Sequence, residues 1–339
     1  MRAYQILPGD GIDGLQCVDV PERELGNGEV RIRVHAVSLN YRDLMVAGGN
    51  YLVNVDDPIV PCSDGAGEVL ATGPGVTRVQ VGDRVAASFF PFWHDGPPSP
   101  EKIRHALGGD IDGMLAEEVV LDEDALVKIP PALSFVDACT LPCAGVTAWN
   151  ALFESSNDIR PGDTALLLGT GGVSILGLQL AAKAGLDTII TSSSDEKLQR
   201  AKDLGASHTI NYRSAPEWQE EVLRATRGAG AHVVLEVGGQ GTVNRSVVSA
   251  AMGGSVAVIG GVSGFGGDVN PATLLTGAKR LVGIYVGSRT MLEKTMHFAA
   301  TTGLQPVVDR VFTFDQAREA YRYMESGAHF GKVVIAVTQ

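Results

Sequence analysis

The chain lacks several features that mark large classes of proteins. It contains no run of Lys or Arg, and its formal net charge is −12 over 339 residues. A nucleic-acid surface needs clustered positive charge to neutralise phosphates, so the composition argues against such a partner. No stretch of about 18 consecutive apolar residues occurs, and the N-terminus has no basic segment followed by an apolar run and a cleavage site. We therefore expect a soluble, cytoplasmic protein that binds small molecules rather than nucleic acid or a membrane.

Cysteine is also scarce. The four cysteines are scattered, and only Cys139 and Cys143 have helical spacing. Such a pattern predicts neither a disulfide framework nor a zinc cluster. Catalytic zinc needs three side-chain ligands and an open position, and we expect no metal site here. The thiols are interpreted as buried free cysteines.

The first part of the chain, residues 1–127, consists of short alternating segments separated by Gly, Pro and Asp. In EVRIRVHAVSL, residues 29–39, the apolar side chains of Val30, Ile32 and Val34 share one face of a strand. His35 falls on the opposite face, where we interpret it as a solvated surface residue rather than a ligand. This part of the chain predicts a β-rich domain, with a long surface loop over residues 91–113.

From residue 128 the pattern changes to apolar runs that alternate with helical stretches. Strands that are apolar throughout are buried on both faces and form a parallel sheet flanked by helices. Six such strands, the last being RLVGIYV, predict a doubly wound Rossmann fold. We place its core in residues 128–266. Residues 267–339 are expected to add the last Rossmann strand and then return to the first domain, so the fold class is α/β.

The turn in LLLGTGGVS, residues 166–174, is the strongest local motif. Gly169 and Gly171 occupy the first two positions of a dinucleotide fingerprint, and Gly172 adds room. The first glycine permits the tight turn, and the second lets the backbone approach a pyrophosphate at the helix N-terminus. Ser174 stands where a third glycine normally allows close packing. We expect its hydroxymethyl group to move the helix slightly outward or to find a backbone acceptor.

The end of the second Rossmann strand bears on the choice of dinucleotide. An NAD-preferring site usually has Asp or Glu there, about 20 residues after the glycines. The count reaches Ser192, a small neutral residue that leaves room for a 2′-phosphate. NADP(H) is therefore the predicted cofactor. Donors that can converge near the adenosine end are provided by Ser193, Lys197, Arg200 and Tyr212.

Two other interpretations of this segment stay open. Ser193 and Glu196 can form a helix capping box, with Lys197 merely solvated. This arrangement and a phosphate site can hold at once. Asp195 can instead bind the ribose hydroxyls of NAD.

Several motifs in a fixed order resemble the medium-chain dehydrogenase/reductase superfamily, within it the zinc-independent quinone oxidoreductase-like branch. The motifs are SLNYRDLMVAGGNY, PCSDGAGEV, GVTRVQVGDRV, LPCAGVTAW, GTGGVS and HFGKVVI. The resemblance covers the whole chain. It implies a GroES-like β-rich catalytic domain formed by both chain ends, a nucleotide-binding domain between them, an active site in the cleft and a homodimer.

The resemblance also implies roles for individual residues. In relatives without zinc, the residues corresponding to Asn40 and Tyr51 line the nicotinamide and substrate pocket. Asn40 is a candidate for positioning the carboxamide or a substrate oxygen, and Tyr51 for donating a hydrogen bond or a proton. A turn residue and a packing aromatic are the alternatives. The residues implied near the cofactor are Thr147, Val173, Gly260, Val286, Gly287 and Lys332.

The leading hypothesis is an NADPH-dependent, zinc-independent reductase of quinones or α,β-unsaturated carbonyls. A different class is a nucleotide-binding sensor or structural protein that keeps the fold without catalysis. An alcohol dehydrogenase of unusual metal chemistry is the third hypothesis. The sequence does not identify the physiological substrate.

Overall fold

The computed structural model describes residues 1–51, 57–156 and 158–338. The chain divides into two compact units. The first unit comprises Met1–Val146 and Gly287–Gln339, and the second comprises Thr147–Val286. The polypeptide therefore leaves the first unit once and returns to it.

The strands and helices follow in chain order. The strands are β1 (Arg2–Gln5), β2 (Gln16–Asp19), β3 (Glu29–Leu39), β4 (Asp64–Thr72), β5 (Arg84–Ala87), β6 (Glu118–Asp122), β7 (Leu126–Lys128), β8 (Thr164–Leu167), β9 (Asp187–Ser192), β10 (His208–Asn211), β11 (Ala231–Glu236), β12 (Ala250–Val258), β13 (Arg280–Gly283), β14 (Val308–Thr313) and β15 (Lys332–Ala336). The helices are α1 (Tyr41–Ala47), α2 (Phe135–Ala138), α3 (Val146–Trp149), α4 (Gly172–Lys183), α5 (Asp195–Asp203), α6 (Trp218–Ala225), α7 (Val243–Ser249), α8 (Pro271–Thr276), α9 (Arg289–Thr302) and α10 (Ala317–Glu325). Along the described residues, none of the helices has the length and apolar character needed to cross a bilayer.

A seven-stranded sheet forms the body of the first unit. Its strand order is β14-β15-β3-β4-β5-β7, and β6 also pairs with β3. On one side of β3, β15 runs antiparallel with Val333 opposite Leu39. On the other side, β4 runs antiparallel with Ser38 opposite Asp64. The C-terminal end of β3 is therefore flanked by the start of β15 and the start of β4, although these elements are far apart in sequence.

The alternation in β3 predicts its buried face correctly. Val30, Ile32 and Val34 are all buried in the apolar core of the first unit. The prediction that His35 is solvated on the other face is wrong. Its ring stacks on Phe135 at a centroid distance of 4.2 Å, and its Nδ1 lies 2.8 Å from Thr338 Oγ1. Strand alternation correctly places His35 on the face of β3 opposite the core, but it cannot show that other residues cover that face.

Six parallel strands form the sheet of the second unit, in the order β10-β9-β8-β11-β12-β13. With β8 counted as the first strand, this is the 3-2-1-4-5-6 order of the doubly wound dinucleotide fold. The middle of β8 is fully buried, as its continuous apolar sequence requires. The predicted α/β fold class is confirmed. The order reverses between β8 and β11, and the carboxyl ends of the strands around that point are where such folds bind nucleotides.

Residues 91–113 are irregular, as predicted, but they are not simply a surface loop. Trp93 and Leu107 are buried within the first unit. The carbonyl of Trp93 accepts a hydrogen bond from the backbone of Arg289 at 2.9 Å. The backbone of this segment is held in place because its apolar side chains pack within the first unit. The Gly- and Pro-rich sequence does not predict this packing.

Candidate functional site

The glycine turn joins β8 to α4 in the second unit. Gly169 adopts a φ of 75°, a conformation that favours glycine. Gly171 caps the start of α4, and a Cβ added at Gly171 would meet no atom within 4 Å. The first N–H groups of a helix have no partner within it, so the start of α4 offers donors beside open space. This geometry fits a pyrophosphate.

Ser174 finds a backbone acceptor. Its Oγ donates a hydrogen bond to Leu168 O at 2.6 Å, and the side chain is buried. The hydroxyl therefore ties the first turn of α4 to the residue that follows β8. Of the two outcomes expected for a serine at the third position of the fingerprint, the structure shows the backbone contact.

The end of β9 presents a neutral side chain. Ser192 is buried, and its Oγ accepts a hydrogen bond from the backbone N–H of Ser194 at 3.3 Å. The backbone of Tyr212, which follows β10, donates to Ser192 O at 3.1 Å. Tyr212 itself is exposed. The strand end therefore carries no acid that would repel a 2′-phosphate.

The interpretation of Ser193 as a helix cap is wrong by one residue. Ser194 caps α5, and its Oγ accepts from the backbone N–H of Lys197 at 3.3 Å. Asp195 is engaged by Asn211, whose Nδ2 donates to its carboxylate at 2.7 Å. Ser193 therefore does not cap α5. The carboxylate of Asp195 is hydrogen-bonded to Asn211 at the end of β10.

A buried carboxylate that the sequence reasoning missed organises the next strand end. Glu236, the last residue of β11, has no exposed surface. Its Oε1 accepts from the backbone N–H groups of Gly238 and Gly239 at 2.8 and 2.9 Å, and from Thr242 Oγ1 at 2.5 Å. The loop after β11 is fixed by this single side chain. In the sequence, the only sign of this role is a single acidic residue at the end of an otherwise apolar strand segment.

The loop after β12 is held against the same segment. The backbone of Gly260 donates to Glu236 O at 3.3 Å. A Cβ added at Gly260 would lie 3.0 Å from Val237 O, so the close approach of the two backbones depends on this glycine. Gly260 therefore lies at the carboxyl edge of the sheet.

Two further predicted residues of the second unit lie near its boundaries in the chain. Thr147 is buried in α3, which is continuous with π-helical turns at Leu141–Gly145 and Asn150–Glu154. Val286 adopts a φ of 57°, which is unusual for a β-branched residue. Its carbonyl accepts from Asn150 Nδ2 at 2.8 Å, a contact that helps to hold this backbone conformation.

Asn40 and Lys332 come together in the first unit. Asn40 follows β3 and precedes α1, and its backbone N–H donates to Asp43 Oδ2 at 2.8 Å. Lys332 opens β15, and its Nζ donates to Leu39 O at 2.7 Å and to Asn40 Oδ1 at 2.5 Å. Both side chains are buried. The sequence analysis gives Asn40 and Lys332 separate roles and does not predict that they contact each other.

Asp64 lies in the same polar cluster. Its carboxylate accepts from Ser63 Oγ at 2.6 Å and from the backbone N–H of Cys143 at 3.1 Å. Burial raises the pKa of Asp64, and the ammonium group of Lys332 is the largest influence opposing that rise. The first unit thus holds a buried cation and a buried carboxylate on either side of Asn40.

Tyr51 lies against Arg42 of α1. The guanidinium carbon lies 4.6 Å from the centroid of the Tyr51 ring and 4.9 Å from that of Phe89. Arg42 Nη1 donates to Leu107 O at 2.5 Å. Arg42 therefore connects Tyr51 with the 91–113 segment through cation–π contacts and a hydrogen bond.

Asp43 is the second buried carboxylate of this region. Its Oδ1 is buried and has no hydrogen-bond partner among the residues described. Burial raises the pKa of Asp43 to about 6, and the Arg42 guanidinium opposes this shift. An ionised Asp43 is therefore costly in the folded protein.

The sequence matches known proteins over both units. Residues 26–131 match the alcohol dehydrogenase GroES-like domain, and residues 172–301 match the zinc-binding dehydrogenase family. A zinc-type alcohol dehydrogenase-like protein of Schizosaccharomyces pombe is 44% identical over 324 residues, which cover 94% of this chain and 93% of that protein. The chain belongs to the medium-chain dehydrogenase/reductase superfamily.

Solved structures of this superfamily share the fold. An NAD-dependent alcohol dehydrogenase is 34% identical with a TM-score of 0.91, and the alignment covers 100% of both chains. A quinone oxidoreductase of Pseudomonas syringae pv. Tomato is 29% identical with a TM-score of 0.82, and 99% of each chain is covered. The protein is thus an oxidoreductase of a superfamily that uses nicotinamide cofactors, with a GroES-like unit and a Rossmann unit.

The resemblance implies that the zinc-ligating cysteine of zinc-containing members corresponds most nearly to Asn40, and their His-Glu pair to Ser63 and Asp64. Here Asn40 Oδ1 accepts from the ammonium of Lys332, and the Ser63 hydroxyl donates to Asp64. An ammonium group directed at Asn40 would repel a metal ion, so these side chains do not fit zinc. Within residues 1–51, 57–156 and 158–338, no three His, Cys, Asp or Glu side chains are placed to share a metal ion.

The prediction that the cysteines are buried is wrong for Cys17, which is exposed, whereas Cys62 and Cys139 are buried and Cys143 is partly buried. Burial raises the pKa of Cys139, and it also raises the pKa of Cys143, with the nearby Asp64 carboxylate acting in the same direction. The Cys62 thiol lies 3.3 Å from Tyr321 Oη in the core. Neutral, buried thiols serve packing rather than redox chemistry.

Proposed function

We propose that the protein is an NADPH-dependent, zinc-independent reductase of quinones or α,β-unsaturated carbonyl compounds. The observation that carries this proposal is the 2.5 Å contact between Lys332 Nζ and Asn40 Oδ1. It supports a site in which hydrogen-bond donors, rather than a metal ion, stabilise the negative charge that develops on the acceptor oxygen. Quinones and enones suit such donors because the enolate or hydroquinone anion needs only a modest proton donor.

The proposed preference for NADP(H) is supported by the neutral end of β9. Ser192 is buried there, and the basic residues Lys197 and Arg200 follow on α5. A carboxylate at the end of β9 would disfavour a 2′-phosphate, whereas a serine leaves room for it. Because a similar structure is described as NAD-dependent, both coenzymes belong in the test.

The residues that we propose as cofactor contacts are given for each unit separately. The second unit supplies Thr147, Gly169, Gly171, Gly172, Val173, Ser192, Ser193, Lys197, Tyr212, Gly260 and Val286. In the first unit, Gly287 is closely packed, because a Cβ added there would lie 2.3 Å from Val146 Cγ1. Lys332, which the resemblance also implies near the cofactor, is buried against Asn40.

NADPH, when bound, supplies the hydride that adds to the conjugated acceptor. For an enone, hydride addition at the β-carbon would give an enolate that takes up one proton at its α-carbon, so NADPH, a proton and the enone give NADP⁺ and the saturated carbonyl compound. Asn40 is proposed to donate a hydrogen bond to the enolate oxygen. Tyr51 is proposed to donate a hydrogen bond or the proton.

We also propose that the protein forms a homodimer. β13 lies at one end of the second unit's sheet and, among the described strands, pairs with β12 alone. Exposed apolar side chains of the second unit include Met252, Leu275 and Leu281. A second copy would bury such surface. Light scattering of the purified protein tests this proposal, and a monomer at micromolar concentration would contradict it.

The test of the proposed reaction is NADPH oxidation by the chelator-treated protein with benzoquinone and with cyclohexenone. Turnover that is unaffected by chelation supports the proposal. Activity that is lost with chelator and restored by zinc supports an alcohol dehydrogenase. Tight NADPH binding without turnover of either acceptor supports the sensor or structural alternative.

A further inference from the structure

Lys332 occupies an unusual position for a lysine. It opens β15 beside the end of β3, and its side chain is only 2% exposed. Two of its three N–H donors are used by Leu39 O and Asn40 Oδ1. A buried ammonium group is expensive unless it is paired, so its placement beside a carboxamide calls for an explanation.

The ammonium group settles the orientation of the Asn40 amide. A lysine has only donors, so Asn40 must present its carbonyl oxygen to Nζ. The amide nitrogen is then held on the other side of the group. Asn40 Nδ2 is buried and makes no well-aligned hydrogen bond with any described residue. The contact at its oxygen thus fixes the direction in which its two N–H groups point.

A carboxylate faces the same amide from the neighbouring strand. Asp64 opens β4, which pairs with β3 on the side opposite β15. The Asn40 side chain acts as a hydrogen-bond donor toward the Asp64 carboxylate and thereby helps to lower the pKa of Asp64, which burial raises. One of its two N–H groups is directed at Asp64, which leaves the second for an acceptor oxygen. The amide therefore has a cation at its oxygen and an anion beyond its nitrogen. A cation at the oxygen polarises an amide and strengthens its N–H groups as donors.

We propose that Lys332 is a positioning residue that orients and polarises Asn40, so that Asn40 Nδ2 donates to the carbonyl oxygen of the quinone or enone. The proposal rests on the proposed function for its substrate. It assigns Lys332 a task different from holding the cofactor. Lys332 acts on the reaction only through Asn40, and this dependence makes the proposal testable.

A double-mutant cycle tests the dependence. Lys332→Met and Asn40→Ala are each expected to lower kcat with benzoquinone by about tenfold or more, with NADPH Kd changed by less than about twofold. The double variant should lose no more than Asn40→Ala alone. Multiplicative losses in the double variant would overturn the proposal. A tenfold rise in NADPH Kd for Lys332→Met would also overturn it, because it would identify a cofactor contact.

The matched control is Lys279→Met. Lys279 also donates through Nζ to backbone carbonyls, those of Val247 and Val248, but it lies in the second unit. This variant should keep kcat within about twofold of wild type. Lys332→Gln keeps an N–H donor and should retain more activity than Lys332→Met. The Gln variant also keeps the test possible if the Met variant folds poorly. Equal losses in the Gln and Met variants would count against positioning.

A measurement without cofactor separates this proposal from the proposed function. Protein labelled with ¹⁵N-asparagine gives side-chain amide signals, and Asn40 is assigned by the signal missing in Asn40→Ala. Lys332→Met or Lys332→Gln should shift that signal, whereas Lys279→Met should not. If wild type reduces no acceptor but the signal shifts, the reaction is wrong and the orienting contact stands. If the signal does not move, the orienting role is overturned.

Discussion

The hydroxyl of Ser174 donates a hydrogen bond to the carbonyl oxygen of Leu168 at 2.6 Å. The contact joins the first turn of α4 to the residue after β8, at the point where a nucleotide fingerprint usually has a glycine. The helix start is thereby held by a side-chain bond. A missing third glycine does not by itself argue against nucleotide binding here.

Replacing Ser174 with alanine removes this bond and leaves Leu168 O without that donor. We expect the free energy of unfolding to fall by about 1 kcal/mol and NADPH affinity to stay unchanged, because the hydroxyl points into the protein. Urea denaturation and a binding titration measure the two effects. Thr301→Ala is the control, since its exposed hydroxyl bonds to His297 O at 2.9 Å and its loss should cost no more than about 0.5 kcal/mol. Equal costs would contradict a structural role for Ser174.

Ser192→Asp tests the choice of coenzyme. The carboxylate can still accept from the backbone of Ser194, so the strand end should keep its course. Repulsion of the 2′-phosphate should raise NADPH Kd by about tenfold or more, while NADH Kd changes little. Fluorescence titration gives both values.

Gln219→Glu is the matched control for Ser192→Asp. It adds one negative charge to α6 in the same unit, where Arg245 already contacts the side chain at 2.8 Å. Neither coenzyme should respond to it. A Ser192→Asp variant that loses both coenzymes equally would show that the serine does not discriminate between them.

Asp43 should give the stability of the protein a measurable pH dependence. Burial raises its folded-state pKa from 3.8 to about 6, so the stability it contributes is complete below about pH 4 and is lost as pH rises through about 6. The free energy of unfolding of Asp43→Asn minus that of wild type should therefore increase over this range, by up to about 3 kcal/mol. A flat difference for Asp43→Asn would contradict the assigned shift.

Tyr51→Phe tests the proposed donor in the first unit. The ring, and with it the contact to the Arg42 guanidinium at 4.6 Å, is kept. If Tyr51 donates to the acceptor, kcat should fall by about 10- to 100-fold while NADPH Kd stays within about twofold. Tyr323→Phe is the control, because that hydroxyl bonds to Asp309 at 2.5 Å and is not part of the proposed site. Unchanged turnover in Tyr51→Phe would contradict the donor role and indicate that Tyr51 is a packing residue.

The sequence predicts those parts of the structure that depend on local patterns. The strands of the second unit were found because burial on both faces leaves continuous apolar runs, and β8 is one of them. The turn at Gly169 was found because its backbone conformation requires a particular residue type. A sequence pattern defines the end of a helix only to within a residue or two, so it predicts a cap at Ser193 where the structure has Ser194.

Features that depend on distant parts of the chain could not be predicted. Lys332 and Asn40 are 292 positions apart and meet only because β15 joins β3. His35 is half-buried because Phe135 covers it, which strand alternation cannot show. The contacts of the Glu236 carboxylate are local in sequence, yet two of its four partners are backbone N–H groups, which leave no pattern of residue types.

The most direct test of the account is a fluorescence titration of the chelator-treated wild-type protein with NADPH and with NADH. We predict that NADPH binds at least about tenfold more tightly, because the proposed site holds the pyrophosphate at the start of α4 and leaves room for the 2′-phosphate at the neutral end of β9. Tighter binding of NADH, or no binding of either coenzyme at millimolar concentration, would contradict it.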